Sequence, residues 1–256
     1  MAIATQISLP PDFNWQLWVD RWDRMQDRYL VHRKERFEVM ANLIQATQSK
    51  PCRILDLGCG PGSTMVHLLE SLPESQVIGI ELDPTILALA EPRLKKFGNR
   101  AKLIQTDLRQ PDWYKDIPIP INAIVSATAL HWLNAEELAN LYTQLYQLLS
   151  SGGIFLNADH IPSSIPAVQQ YWEQHREQMR AEEGHGTADD WDGFWKAYSA
   201  ALGIDLAAIQ KSILGEWHGM ESPLSWHLDT LRDTGFINLD CYWRCDCDAI
   251  YGGMKK

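Results

Sequence analysis

Short apolar runs alternate with amphipathic stretches through the centre of the chain. The apolar runs cover residues 53–57, 76–82, 101–106, 122–127 and 154–158, and helical patterns cover residues 63–71, 84–97 and 135–149. Runs of this kind, rather than strict alternation, are typical of strands that are buried on both faces. The order predicts βαβ units that form a parallel sheet with helices on both faces.

The two flanks of this region have a different pattern. Residues 15–47 have an amphipathic helical pattern, and residues 162–222 contain helical patterns at 166–183, 188–202 and 206–216 that are rich in aromatic side chains. This second segment is either a lid over a site or a small core of its own. A helix at 223–233 and strands at 237–243 and 247–252 follow, which predicts a hairpin added to the sheet.

Composition narrows the possible partners. The 256 residues carry a net charge of −10, and an acidic surface disfavours nucleic acids and anionic membranes. No signal-like leader or membrane-length apolar run is present, which predicts a cytoplasmic protein with reduced thiols. Cys241, Cys245 and Cys247 raise the alternative of a zinc site, but no fourth ligand follows at a recognised spacing. We therefore expect strand cysteines and no metal.

A glycine-rich turn directly follows the first predicted strand. Gly58, Gly60 and Gly62 form a G-x-G-x-G pattern that opens a helix, as in many nucleotide-binding turns. Ser63 stands where a dinucleotide-binding fingerprint has its third glycine, and Asp56 stands where dehydrogenases usually have an apolar residue. The turn therefore predicts a nucleotide-like cofactor and argues against a nicotinamide.

Two further acids end the next two predicted strands. Glu81 lies 23 residues beyond Gly58 and ends the second strand, and Asp107 follows the third. Because parallel strands end at one edge of a sheet, we expect both carboxylates beside the glycine turn. A carboxylate at the position of Glu81 can accept both hydroxyls of a ribose.

These motifs resemble those of the class I S-adenosylmethionine-dependent methyltransferases, over roughly residues 36–253. The resemblance implies a Rossmann-like sheet of seven mostly parallel strands in the order 3-2-1-4-5-7-6, with strand 7 antiparallel. It also implies N-terminal helices over the cofactor (1–50), a core (51–160 and 223–256) and a helical lid after strand 5 (161–222). The residues that it assigns to S-adenosylmethionine are Arg36, Asp56, Gly58, Cys59, Gly60, Glu81, Leu82, Asp107, Leu108, Ser126, Ala127 and His131.

The acceptor is less well defined by the sequence. The segment from Ala129 to Trp132 resembles the branch of enzymes that form methyl esters of trans-aconitate and malonyl carriers, which implies a small-molecule oxygen acceptor. His131 and His160 are the candidate bases if that oxygen is a hydroxyl, whereas a carboxylate needs no base. Since Asp159 is the only acid beside either histidine in the sequence, the carboxylate is slightly favoured.

Four other protein classes are alternatives to this function. They are a nicotinamide-dependent oxidoreductase, a non-catalytic protein that keeps the cofactor site, a methyltransferase for a nitrogen or carbon acceptor, and one that acts on RNA or protein. The lack of an Asn-Pro-Pro-Tyr signature after the fourth strand weighs against methylation of a nucleic-acid base. The protein is expected to be a monomer or a homodimer.

Overall fold

The computed structural model describes residues 7–183, 188–213 and 222–256, which form a seven-stranded sheet with the order β3-β2-β1-β4-β5-β7-β6. β7 runs antiparallel to both of its neighbours, and the other adjacent pairs are parallel. The predicted fold class is confirmed. The strands are β1 (Arg53–Leu57), β2 (Gln76–Glu81), β3 (Ala101–Gln105), β4 (Ile121–Ala127), β5 (Leu149–His160), β6 (Ile237–Cys245) and β7 (Asp248–Met254).

Helices cover the sheet and continue above one of its edges. They are α1 (Trp15–Tyr29), α2 (Arg33–Thr47), α3 (Ser63–Ser71), α4 (Pro84–Leu94), α5 (Ala135–Leu148), α6 (Pro166–Glu183), α7 (Trp191–Leu202), α8 (Leu206–Ile213) and α9 (Leu224–Thr234). The prediction for α8 extended to residue 216, and its last part lies outside the described residues, as does Trp217. Among the described residues, no helix is long and apolar enough to cross a membrane.

The central strands are apolar on both faces because each face packs against helices. In β1, Leu55 contributes to one apolar layer and Ile54 to the other, and both side chains are fully buried. A third apolar cluster lies apart from the sheet and joins α1, α4 and α7 around Trp18 and Tyr198. The N-terminal helix α1 and the inserted helix α7 are therefore packed together.

The amphipathic helical pattern over residues 15–47 is divided between two helices. The chain breaks between α1 and α2 at His32, whose φ of 58° is in the left-handed region. The break lets α1 pack in the Trp18 cluster while α2 buries Met40 and Ile44 against the sheet layer. A straight helix could not reach both surfaces, so tertiary packing overrides the continuous amphipathic pattern.

Smaller differences occur at other element ends. The fifth strand was predicted at residues 154–158 and extends over Leu149–His160, with a register shift opposite β4. The helix predicted at residues 84–97 ends at Leu94, where a 3-10 helix takes over as far as Arg100.

Asp23 links α1 to three other helices through its charge. Its carboxylate accepts from Arg93 at 2.8 Å, Arg33 at 3.0 Å and Ser63 at 2.7 Å, so one side chain links α1 with α2, α3 and α4. Burial opposes the charged form, but the two arginines and the serine hydroxyl outweigh it and lower the pKa of Asp23.

We expect Asp23→Asn to lower the free energy of unfolding by about 1–3 kcal/mol, because hydrogen bonds to a charged group are lost and two arginines lose their partner. Chemical denaturation followed by circular dichroism measures this loss. Asp20→Asn, an exposed change on the same helix, is the control and should leave stability within about 0.5 kcal/mol of the wild type. Equal effects of the two changes would contradict a linking role for Asp23.

Candidate active site

A cavity of about 640 Å³ lies at the carboxyl ends of the parallel strands. The glycine turn after β1 and the residues that follow β2, β3 and β4 line it from the sheet side, and α1, α6, α7 and α8 contribute side chains from the other side. Of the predicted cofactor residues, those that line the cavity are Gly58, Cys59, Gly60, Glu81, Leu82, Asp107, Leu108, Ala127 and His131. The sheet thus brings together most of the predicted set.

The glycine turn forms a cradle that side chains would fill. Gly58 and Gly60 have φ values of 65° and 54°, which L-residues rarely adopt. A Cβ on Gly60 would meet nothing closer than 3.8 Å, which means that it would enter the open cavity. A Cβ on Gly58 would lie 2.3 Å from the Cβ of Ala129, so this glycine is required by packing within the protein.

Glu81 is fixed by backbone N–H groups at the end of β2. Its Oε2 accepts from Gly60 N at 2.9 Å, and its Oε1 accepts from Leu82 N at 2.7 Å and Asp83 N at 2.9 Å. Burial raises the pKa of Glu81 against the opposing effect of these three donors. Each carboxylate oxygen can accept more than one hydrogen bond, so the side chain keeps capacity for a ligand hydroxyl.

Asp107 is already paired with a cation at the end of β3. Arg109 donates to its two oxygens from Nε at 2.8 Å and from Nη2 at 2.9 Å, and the Arg109 backbone N–H adds a third bond at 2.9 Å. The same guanidinium donates to the carbonyl of Ile213 in α8. Asp107 therefore lies where the sequence predicts it, and its pairing connects β3 with the helical segment.

Three predicted cofactor residues lie behind the cavity lining. Asp56 is 1% exposed, and neither of its carboxylate oxygens has a hydrogen-bond partner among the described residues. Burial, with a contribution from Glu81, raises the pKa of Asp56 well above its usual range. Ser126 donates to the carbonyl of Leu57 at 2.8 Å, and Arg36 is buried 3.7 Å from Asp248. Their contact with a cofactor stays a prediction.

Each candidate catalytic histidine has a buried aspartate. His131 Nδ1 lies 2.7 Å from Asp159 Oδ1, and His160 Nδ1 lies 2.5 Å from Asp248 Oδ1. Both histidines line the cavity, with ring centroids 6.0 Å apart. The sequence favoured a carboxylate acceptor because it showed only one acid beside these histidines. That reason does not hold, since a buried carboxylate lies within ion-pair distance of each histidine.

One group of described residues could also hold a metal ion: His160, Cys247 and Asp248 place ligand atoms within 4.8 Å of one another. Arg36 and Arg176 both act on Asp248 electrostatically, and such positive charges disfavour a cation. Cys241 and Cys245 do not belong to this group. That the protein needs no metal stays a prediction.

Comparison with known proteins places this site in a family. Residues 54–153, which span the glycine turn and both strand-end acids, match the family model for a methyltransferase domain. The fold is similar to that of human N-acetylserotonin methyltransferase in complex with S-adenosylmethionine, with a TM-score of 0.52 and 14% identity over 97% of this chain and 61% of that one. Residues 54–153 therefore carry a methyltransferase domain, and the chain has the fold of S-adenosylmethionine-dependent methyltransferases.

Curated relatives share the methyltransferase domain but cover only part of the chain. Trans-aconitate 2-methyltransferase of Methylobacterium nodulans is 32% identical over 52% of this chain and 47% of its own length. Malonyl-[acyl-carrier protein] O-methyltransferase of Laribacter hongkongensis is 27% identical over 59% of this chain and 52% of its own length. The chain therefore spans about half the length of these relatives, and the matches define the domain rather than the acceptor.

The surroundings of the cavity also include charged residues that the sequence analysis did not single out. Asp248 was hidden because its pairing depends on the register of β7, which places it directly opposite His160. Arg176 and Arg180 also line the cavity. They stand four residues apart in the predicted helix 166–183, so their common face could have been read from the sequence.

Three tryptophans line the methyltransferase cavity on the helical side. Trp22 of α1 lies near Trp191 and Trp195 of α7, with ring centroids 6.0 Å away in each case. The sequence predicts that Trp22 lies on a helix. It does not predict that the Trp22 ring lies above the glycine turn, where a Cβ added to Gly60 would be 3.9 Å away from it.

We expect Asp159→Asn to destabilise the domain in a pH-dependent way. Burial raises the pKa of Asp159, but His131 and His160 outweigh this and lower it to about 2. Because the folded-state pKa is below the unfolded value near 3.8, the carboxylate stabilises the fold above pH ~4, and this is lost as the pH falls toward 2. Denaturation should show a difference of roughly 2 kcal/mol at pH 5 that shrinks below pH ~4.

The exposed change Asp233→Asn is the control for this measurement and should leave the stability curve unchanged. A difference between Asp159→Asn and wild type that is independent of pH between 5 and 2 would contradict the ion-pair role of Asp159.

Proposed function

We propose that this protein transfers the methyl group of S-adenosylmethionine to an oxygen atom of a small molecule. The observation that carries the proposal is a single cavity that joins two kinds of groups. Its lining includes the acids at the ends of β2 and β3, and it also includes two histidines that are each paired with a buried aspartate. The first set suits the cofactor and the second suits an acceptor.

Gly60, Glu81 and Asp107 would hold the cofactor. The open space above Gly60 fits a ligand that needs close approach to the backbone. Glu81 keeps acceptor capacity for the ribose hydroxyls, and Asp107 keeps it for the adenine amino group. When bound, S-adenosylmethionine would supply a methyl group on a positively charged sulfur. The neutral thioether that remains after methyl transfer is a good leaving group. The protein's task is to hold the acceptor oxygen in line with that methyl carbon.

The paired histidines favour a hydroxyl acceptor over a carboxylate. A hydroxyl must lose its proton as its oxygen bonds to the methyl carbon, while the carbon–sulfur bond breaks and sulfur keeps the electron pair. His131 would take the proton through Nε2, because its Nδ1 is engaged by Asp159. Asp159 fixes the ring orientation and stabilises the positive charge that forms on the imidazole.

The helical segments would exclude water from this transfer. α1, α6, α7 and α8 all contribute lining residues, and the cavity volume is in the usual range for small-molecule sites. This supports the division into covering helices (1–50), core (51–160 and 223–256) and lid (161–222). The packing of α1 on α7 through Trp18 and Phe194 makes these two helices one cover.

Isothermal titration calorimetry with S-adenosylhomocysteine tests the cofactor site. Glu81→Gln should weaken binding about ten- to a hundredfold, because one acceptor for a ribose hydroxyl becomes a donor. Glu70→Gln, in an exposed pair with Lys96, is the matched control and should bind like the wild type. Binding of NADH by a wild-type protein that does not bind S-adenosylhomocysteine would overturn the proposed function.

A pH–rate profile tests the acceptor chemistry once a panel of small acids, alcohols and phenols has identified a substrate. For a hydroxyl, His131→Ala should reduce the rate about 10²- to 10⁴-fold, and wild-type activity should fall at acid pH because a protonated base cannot accept the hydroxyl proton. His175→Ala, which removes a histidine paired with Asp246 outside the cavity lining, is the control. A rate that is flat with pH and insensitive to His131→Ala would indicate a carboxylate acceptor, and a methylated nitrogen would exclude both.

A further inference from the structure

Arg176 is a cation in the cavity that makes no hydrogen bond or ion pair within the described residues, although it attracts Asp248 at longer range. It projects from α6 into the cavity lining. Its Nε is buried and makes no hydrogen bond, and no described acid lies within salt-bridge distance of its guanidinium. A buried donor that belongs to a charged group is costly to leave unpaired, so this arginine needs an anion that the described chain does not provide.

The neighbouring Arg180 has a different role. Its Nη2 donates to the carbonyl of Tyr29 at 2.6 Å, its Nη1 lies 3.6 Å from Glu177, and its guanidinium stacks on the Tyr29 ring. Arg180 therefore fixes α6 against the end of α1. Burial and the charge of Arg176 lower the pKa of Arg180, so the two arginines repel each other on one face of the helix.

Nearby acids are already committed to other cations. Asp248 is in contact with His160 and lies 3.7 Å from Arg36, and the positive charge of Arg33 is shared with Asp23 and Asp27. Glu81 and Asp107 lie at the ends of β2 and β3, which are at the opposite side of the sheet from β7, where Asp248 lies. The α6 end of the cavity thus carries an excess of positive charge.

We propose that Arg176 binds a carboxylate of the methyl acceptor, at a position separate from the oxygen that is methylated. This rests on the proposed function and deepens it: the acceptor is a small hydroxy acid rather than a neutral alcohol or phenol. The planar guanidinium offers paired N–H donors that match the two oxygens of a carboxylate, and a low-dielectric cavity strengthens this pairing. Arg176 is thereby a specificity-determining residue, and His131 acts on a different part of the same molecule.

Binding of 4-hydroxybenzoate and its neutral amide, 4-hydroxybenzamide, tests the proposal. The two probes differ in charge and share their shape, and each is titrated calorimetrically into the full chain saturated with S-adenosylhomocysteine. We expect the acid to bind at least about tenfold more tightly than the amide. Arg176→Gln should remove this preference, Arg176→Lys should keep part of it, and the exposed change Lys196→Gln in α7 should leave it unchanged.

The outcomes separate this proposal from the proposed function. Arg176→Gln should bind S-adenosylhomocysteine like the wild type, and loss of that binding in Glu81→Gln reports on the cofactor site alone. The acid and amide titrations are repeated without S-adenosylhomocysteine, so that Arg176 is tested even if the cofactor site fails. Equal binding of acid and amide by the wild type, or an unchanged preference in Arg176→Gln, would overturn the proposal.

Discussion

The parallel arrangement of β1, β2 and β3 is the constraint on which the site depends. Strands that run in the same direction end at the same edge, so the glycine turn, Glu81 and Asp107 meet although they are far apart in the chain. The hydrogen bond from Gly60 N to Glu81 then locks the turn to the neighbouring strand. Burial of both faces of the sheet fixes this arrangement, because a shift of one strand would expose its apolar residues to the wrong layer.

Charge is distributed unevenly along the cavity. One end is lined by carboxylates that are held by backbone N–H groups or by Arg109, and the other end is lined by two histidines and the arginines of α6. In a site shielded from water such charges act strongly on a ligand. A donor with hydroxyl and amino groups suits the first end, and an acceptor with an oxygen and an anionic group suits the second. In the proposed function, the same unevenness would orient the two molecules toward each other.

A few side chains attach the covering helices α1 and α6 to the rest of the protein. Asp23 anchors α1 through two arginines, and Arg180 anchors α6 through the backbone of Tyr29. The aromatic contacts around Trp18 add the apolar part of this attachment. Because these interactions are part-buried ion pairs and ring contacts, the cover is attached at discrete points, whereas the core strands are joined by continuous ladders.

The sequence by itself determined the sheet, the glycine turn and the positions of Glu81 and Asp107. These follow from local patterns: an apolar run sets each strand, and the residue after the run sits at the strand end. It also placed His131 and His160 near that edge. It could not show that residues 15–47 break at His32, since the amphipathic pattern continues through the break and only packing on two surfaces requires it.

Only the tertiary structure decided which groups pair. The partner of His160 comes from the antiparallel register of β7, and the burial of Arg36 beside Asp248 comes from the path of α2 over the sheet. Which of the described acids come within ion-pair distance of Arg176 depends on which acids fold toward α6. The two pairings join residues 88 (248 − 160) and 212 (248 − 36) positions apart in the chain, and no local pattern encodes the distance between their side chains. The sequence therefore determined the sheet edge that carries Glu81 and Asp107, and long-range packing decided the surroundings of His160, Arg36 and Arg176.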